Sequence, residues 1–419
     1  MTPEIKERIE QIQQGIVPEG YKHSAMGIIP EEWEIHSVGE HLTESYIPGN
    51  TGDVAKKITV KLWNKGVVEK KEVHTGSENT QYYTRKSGQF IYSKLDFLNC
   101  AFGIVPKELD GYESTLDLPA FDINGINPYY LLSQVTQRRF YEHWGIMAAN
   151  GGRKARRISP EDFLSFPIAF PCMEEQDKIT EILVTQDKTI ELKEKLIAEK
   201  QRRKKCLMQQ LLTGNKRLPG FSGQWKKQKM SDILRERNEV NKDQNLRICS
   251  VAVNSGVVDQ REHLGKSMAA ADTSNYNVVC YGDIVYTKSP TGEFPFGIVK
   301  QSQLSENVAV SPLYGVYKPA TYELGYLLNE YFMYSNNANG YLLPIVNKGA
   351  KNTINISNTT FICPSLYLPT DFEEIKKLAQ IFKTANGEIE ILEKELIQEK
   401  QKKKALMQLL LTGIVRVDA

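Results

Sequence analysis

The strongest polar signal in this 419-residue chain is Asn150-Gly-Gly-Arg153-Lys154-Ala-Arg156-Arg157, four cations opened by two glycines. Glycines let a backbone approach a phosphate closely, a lysine or arginine neutralises it, and an arginine can also fork onto guanine. A second stretch, Asn347-Lys348-Gly-Ala-Lys351-Asn352-Thr-Ile-Asn355, offers Lys348 and Lys351 to phosphate, and Asn352 and Asn355 as amides that match adenine. Lys94 and Lys288 close two similar segments, Tyr-Ser-Lys and Tyr-Thr-Lys. The chemistry on offer is recognition of anions and base edges. The same cations also suit a solvated turn. The runs Lys200 to Lys205 and Lys400 to Lys404 suit either helix-dipole compensation or phosphate contact.

Reaction chemistry is missing. There is no G-x-x-x-x-G-K-(S/T) phosphate loop and no G-x-G-x-x-G, so neither a nucleotide nor another cofactor is expected. Asn127-Pro-Tyr-Tyr130 comes near the Asn/Asp-Pro-Pro-Tyr/Phe motif with which amino methyltransferases hold a target base. It lacks the second proline and reads as a helix-start turn. No G-x-S-x-G singles out a catalytic serine. The six cysteines have no C-x-x-C spacing, which predicts reduced, mostly buried thiols and neither zinc nor disulfides. A net charge of only +2 confines any nucleic-acid contact to local patches. No apolar run reaches the ~18 residues of a membrane span, which predicts a soluble, cytoplasmic protein.

The elements that must position these residues come from a repeat. Glu174 to Gly214 returns as Glu373 to Gly413, 199 positions later, and both copies end in Leu-Leu-Thr-Gly. Leu183, Ile190, Ile197, Lys204 and Leu211 align with Phe382, Ile389, Leu396, Lys403 and Leu410 at a strict spacing of seven, the seam of a coiled coil. Gln186, Lys193 and Lys200 fall in the second seam column and weaken it. Each copy predicts a helix of roughly 60 Å at ~1.5 Å per residue, stopped by its glycine. Thr2-Pro3-Glu4 starts a shorter helix, over 1–20, that packs with the repeated ones.

Between the helices lie two blocks, 21–171 and 217–369, with spacer helices at 172–216 and 370–419. Trp33 opens the first block and Trp225 the second. Gly88-Gln-Phe-Ile-Tyr-Ser-Lys94 matches Gly282-Asp-Ile-Val-Tyr-Thr-Lys288, and Phe102-Gly-Ile-Val105 recurs identically at Phe296 to Val299. Ordered matches with a slowly growing offset predict a duplicated domain. Ile58 to Leu62, Phe90 to Tyr92, Ile284 to Tyr286 and Phe361 to Cys363 read as half-buried strands, while Tyr129 to Trp144 and Glu323 to Tyr334 read as helices. The expected fold is α+β: two mixed α/β domains separated by two long antiparallel coiled-coil helices, in a circular, pseudo-twofold arrangement.

With two copies of this pattern the chain resembles the specificity subunits of type I restriction-modification systems, most closely in Pro171-Cys-Met-Glu-Glu-Gln-Asp-Lys-Ile179 and in the two Leu-Leu-Thr-Gly ends. It departs at Ile375, where Gln176 stands in the first copy. The resemblance implies that each domain is a target recognition domain reading one half of a split, asymmetric sequence in double-stranded DNA. It further implies that the helices set the gap and dock two modification (methyltransferase) subunits, which restriction subunits with ATP-driven motor and nuclease functions join. The chain itself would be a non-catalytic reader. Rival readings are a coiled-coil scaffold with two protein-binding domains and a fused methyltransferase.

Overall fold

The computed structural model describes residues 2–71, 76–148, 157–243, 245–265, 272–348 and 354–417. It divides into two compact units, Met1–Lys193 with Glu395–Ala419, and Glu194–Lys394.

Unit 1 is built on a four-stranded antiparallel sheet in the order Phe102–Ile104, Phe90–Tyr92, Ala120–Ile123, Leu42–Glu44. Side chains alternate across a strand. Phe90 and Tyr92 enter a core with Phe97, Phe163, Leu183 and Leu411. Ile91 enters a second, smaller core with Ile58, Val60 and Val67, which belong to the hairpin of Ile58–Val60 with Val67–Glu69. The strand Phe90–Tyr92 is therefore buried at every position, not half-buried, because the sheet is covered on both faces. The helix expected from Tyr129 to Trp144 is two, Pro128–Val135 and Arg138–Ala148. At the break, buried Gln137 turns its amide onto Gln134 Oε1 at 2.9 Å.

Unit 2 repeats the strand order with Val299–Gln301, Ile284–Tyr286, Gly315–Pro319 and Leu234–Glu236. Each unit also pairs the strand that follows its block-opening tryptophan with the strand before a long helix, Glu34–Ser37 with Pro167–Phe170 and Lys226–Lys229 with Ser365–Leu368. The identical Phe-Gly-Ile-Val quartets are nevertheless out of step, since Tyr92 faces Phe102 while Tyr286 faces Val299. Gly297 takes φ +97°, a left-handed value open to glycine, and the second quartet mostly precedes its strand. Phe361 to Cys363 is not a strand. Ser357 accepts the Thr360 N–H at 3.0 Å and starts the short helix Asn358–Phe361 instead.

The long helices are Met173–Leu211 and Phe372–Leu410, each of 39 residues. Gly214 and Gly413 follow at φ +72° and +69°, and a Cβ on either would press on the tryptophan that opens a block, 3.2 Å from Trp225 and 3.3 Å from Trp33. The polar seam residues find carboxylates. In unit 1, Gln186 donates to Glu399 at 2.8 Å and Lys193 pairs with Glu395 at 2.6 Å, so the helices there run in opposite directions. In unit 2, Lys200 pairs with Glu388 at 2.8 Å. The N-terminal helix Pro3–Gln13 reaches the other end of the chain, where Arg8 donates to the Ile414 carbonyl at 2.7 Å and Tyr21 Oη to that of Gly413 at 2.8 Å.

Only Cys100 and Cys249 are buried; Cys172, Cys206 and Cys363 are exposed and Cys280 lies between, so the expectation of mostly buried thiols fails. Among the described residues, no helix is long and apolar enough to cross a membrane.

Candidate nucleic-acid interface

Two clasps fix the two blocks to the long helices. In unit 1, buried Glu175 accepts the Trp33 indole N–H at 2.9 Å and takes Arg416 through both oxygens at 2.7 and 2.9 Å. In unit 2, buried Glu374 accepts the Trp225 indole N–H at 3.2 Å and takes Arg217 at 2.8 and 2.7 Å. Each arginine trails one long helix and each glutamate heads the other. A bidentate pair of this kind fixes orientation as well as position. The sequence reading missed them, although Glu175 with Glu374 and Arg217 with Arg416 both keep the 199-residue offset.

On this frame the central strands carry the candidate cations. In unit 1, Lys94 lies just past Phe90–Tyr92, and its N–H donates to the Asp117 carbonyl at 2.9 Å while its carbonyl accepts from Ile158 at 3.1 Å. Tyr92 Oη also donates to the Ile158 carbonyl, at 3.1 Å. Arg157 meets the Asp117 carboxylate at 3.4 Å, both groups more than half exposed. Lys94 and Arg157 are thus brought to one end of the sheet. Glu161 is also near; its own backbone N–H and the Ser159 hydroxyl, with a smaller pull from Lys94, hold its carboxyl below the usual range. Arg153, Lys154 and Arg156 lie outside the described residues.

In unit 2, Lys288 holds the place corresponding to Lys94 and is half-buried. Burial pushes its amine pKa down, against the opposing pull of Glu236. Lys348 and Asn355 sit on paired antiparallel strands, Asn347–Lys348 and Ile354–Asn355, and Lys351 and Asn352, between them, lie outside the described residues. A compositional signal in unit 1 escaped the search for glycine-led loops: Lys56 to Lys71 holds six lysines and one glutamate.

The other motif is structural. Asn127 caps the helix Pro128–Val135, its side-chain oxygen accepting the N–H groups of Tyr129 at 2.9 Å and Tyr130 at 3.1 Å, while its amide donates to Asp177 at 2.7 Å. Its own N–H goes to Gln176 Oε1 at 3.0 Å. Gln176 is fully buried, whereas Ile375, its counterpart, joins the apolar core of unit 2. Among the described residues, no group of three or more His, Cys, Asp or Glu side chains is placed to hold a metal ion.

Residues 121–201 match the family described as the type I restriction modification DNA specificity domain. Among solved structures, the type I restriction-modification system S subunit from M. genitalium superposes with a TM-score of 0.55 at 12% identity, over 92% of this chain and 96% of that one. A chain from a study of complex assembly and conformational transition of the type I R-M system superposes at 0.51 and 15% identity, over 92% and 99%. At such identities the likeness is one of fold. Residues 121–201 thus resemble that DNA specificity domain, and over 92% of its length the chain shares the fold of these two structures.

Proposed function

We propose that this chain is the DNA-reading subunit of a type I restriction-modification complex, that each unit reads one half of a split target in double-stranded DNA, and that the chain catalyses no reaction itself. The observation that carries the reading is the recurrence of one strand order in two units whose loops differ in sequence, on a chain that contains the specificity domain. Equal scaffolds with unequal loops suit a ligand that varies along its length. The cations of the first unit are Lys94, Arg153, Lys154, Arg156 and Arg157; the second offers Lys288, Lys348, Lys351, Asn352 and Asn355. The long helices set the gap between half-sites and dock two modification subunits, to which restriction subunits add. Asn127 supports the non-catalytic reading, since its amide is engaged by a helix cap and Asp177 and is not free to hold a base.

The test is a block exchange. Replacing residues 33–171 with the matching block of a relative, followed by mapping of methylated bases in cells that also make the modification subunits, should change one half of the methylated motif and leave the other intact. A motif that changed in both halves would show a single composite site.

A further inference from the structure

We propose that the tip of the hairpin Ile58–Val60 with Val67–Glu69 is a DNA-binding element in which Trp63 wedges against a base step while Lys61 and Lys65 hold phosphates of the same duplex. This rests on reading unit 1 as a DNA-reading domain and names a contact that reading does not supply.

Of the four tryptophans, Trp33 and Trp225 are buried, at 1% and 6% exposure, whereas Trp63 is 57% exposed. Trp144 is half-buried. Lys61, Leu62, Trp63, Asn64 and Lys65 are all exposed in succession. A single exposed leucine is ordinary, but this tip is also held in an unfavourable shape. Trp63 and Asn64 have φ of +60° and +52°, left-handed values that a bulky side chain adopts only under constraint. The constraint is visible: the Trp63 N–H donates to the Asn99 carbonyl and the Asn64 N–H to that of Cys100, both at 2.8 Å, and the Lys61 N–H closes the turn on Gly66 at 2.9 Å. The fold therefore presents an indole rigidly, with more than half of its surface open to solvent.

Charge selects the occupant. Five exposed lysines, Lys56, Lys61, Lys65, Lys70 and Lys71, against one glutamate favour a polyanion over an apolar protein face, and an aromatic wedge flanked by cations is how proteins unstack a duplex step and grip its backbone. Position agrees. Asn99 and Cys100 lead into the strand Phe102–Ile104, whose Phe102 faces Tyr92, so the tip is tied to the sheet end that bears Lys94. In unit 2 the corresponding hairpin, Cys249–Ala252 with Gly256–Asp259, carries Val253-Asn254-Ser255 at its tip, without aromatic ring or cation. The wedge accordingly serves only the half-site that unit 1 reads.

Titrating the full chain with mixed-sequence duplex DNA should quench tryptophan emission, and the quench should vanish in Trp63→Phe while binding largely persists. Trp63→Ala should bind roughly 5- to 150-fold more weakly, the range for losing one base–aromatic stack. With the modification subunits present, it should slow methylation through the unit 1 half of the motif alone. Circular dichroism checks folding, and if Trp63→Ala does not fold, the Trp63→Phe emission decides. Unchanged affinity in Trp63→Ala together with an undiminished quench in Trp63→Phe overturns the wedge. The block exchange separates the two ideas: if it alters one half-motif while Trp63 proves irrelevant, only the wedge fails, and if the wild-type chain neither binds duplex nor responds to the exchange, both do.

Discussion

Glu175 concentrates three jobs in one carboxylate: it receives the tryptophan that opens the first block, holds the arginine beyond the second long helix, and sits at the start of the first. Removing one partner of a buried pair leaves the others unsatisfied, so Glu175→Ala should destabilise unit 1 by about 3 kcal/mol, the low end of the usual range because Arg416 is 35% exposed. Glu175→Gln still accepts from Trp33 and should cost less; denaturant midpoints measure both. A second residue-scale prediction concerns Lys300, buried in unit 2, where burial against the pull of Glu330 drives its amine from 10.5 down to about 8. Between those values the unfolded chain keeps a proton that the folded chain has released. Stability should therefore rise with pH across that window, by on the order of 3 kcal/mol, and Lys300→Met should flatten the rise in a pH series of unfolding curves.

The long helices were legible in the sequence because heptads, stop glycines and the repeat are local or periodic signals. Gln186, Lys193 and Lys200 read as weak seam positions, and the structure shows why they are tolerated: each meets a glutamate of the other helix. The two lysine pairs, half-exposed, contribute little singly. Lys193→Glu should cost less than about 1 kcal/mol, with the double variant Lys193→Glu, Glu395→Lys recovering most of it at low salt and less at high salt, as thermal melts would show. What the sequence concealed depends on contacts between distant stretches. Identical quartets hid a three-residue slip, two-sided burial of Phe90–Tyr92 made a strand look half-buried, and Trp63 drew no notice because its lysines follow no glycine. Lys94 and Arg157, by contrast, were flagged from sequence and do come together. If the helices act as a ruler, adding seven residues to each after Ile190 and Ile389 keeps the seam and adds roughly 10 Å. Methylation mapping should then find a gap about three base pairs longer, or no specific methylation; methylation at the original gap would show that the helices do not set it.

At the scale of the molecule, the division into units does not follow the order of the chain. Unit 2 is one uninterrupted stretch, Glu194–Lys394, but unit 1 takes Met1–Lys193 and also Glu395–Ala419. That tail is no ornament, since Leu410 and Leu411 lie in the unit 1 core and Arg416 closes on Glu175. Deleting everything from Glu395 on should leave unit 2 resistant to limited proteolysis while unit 1 becomes sensitive. The same arrangement dictates a schedule during synthesis. Although translated first, unit 1 must wait on the ribosome with Ile179, Leu183 and Glu175 unsatisfied until some two hundred further residues have emerged, roughly ten to forty seconds at ordinary elongation rates. The half of the protein that starts first is thus the half that finishes last, and chains released early would carry a complete unit 2 beside an open unit 1.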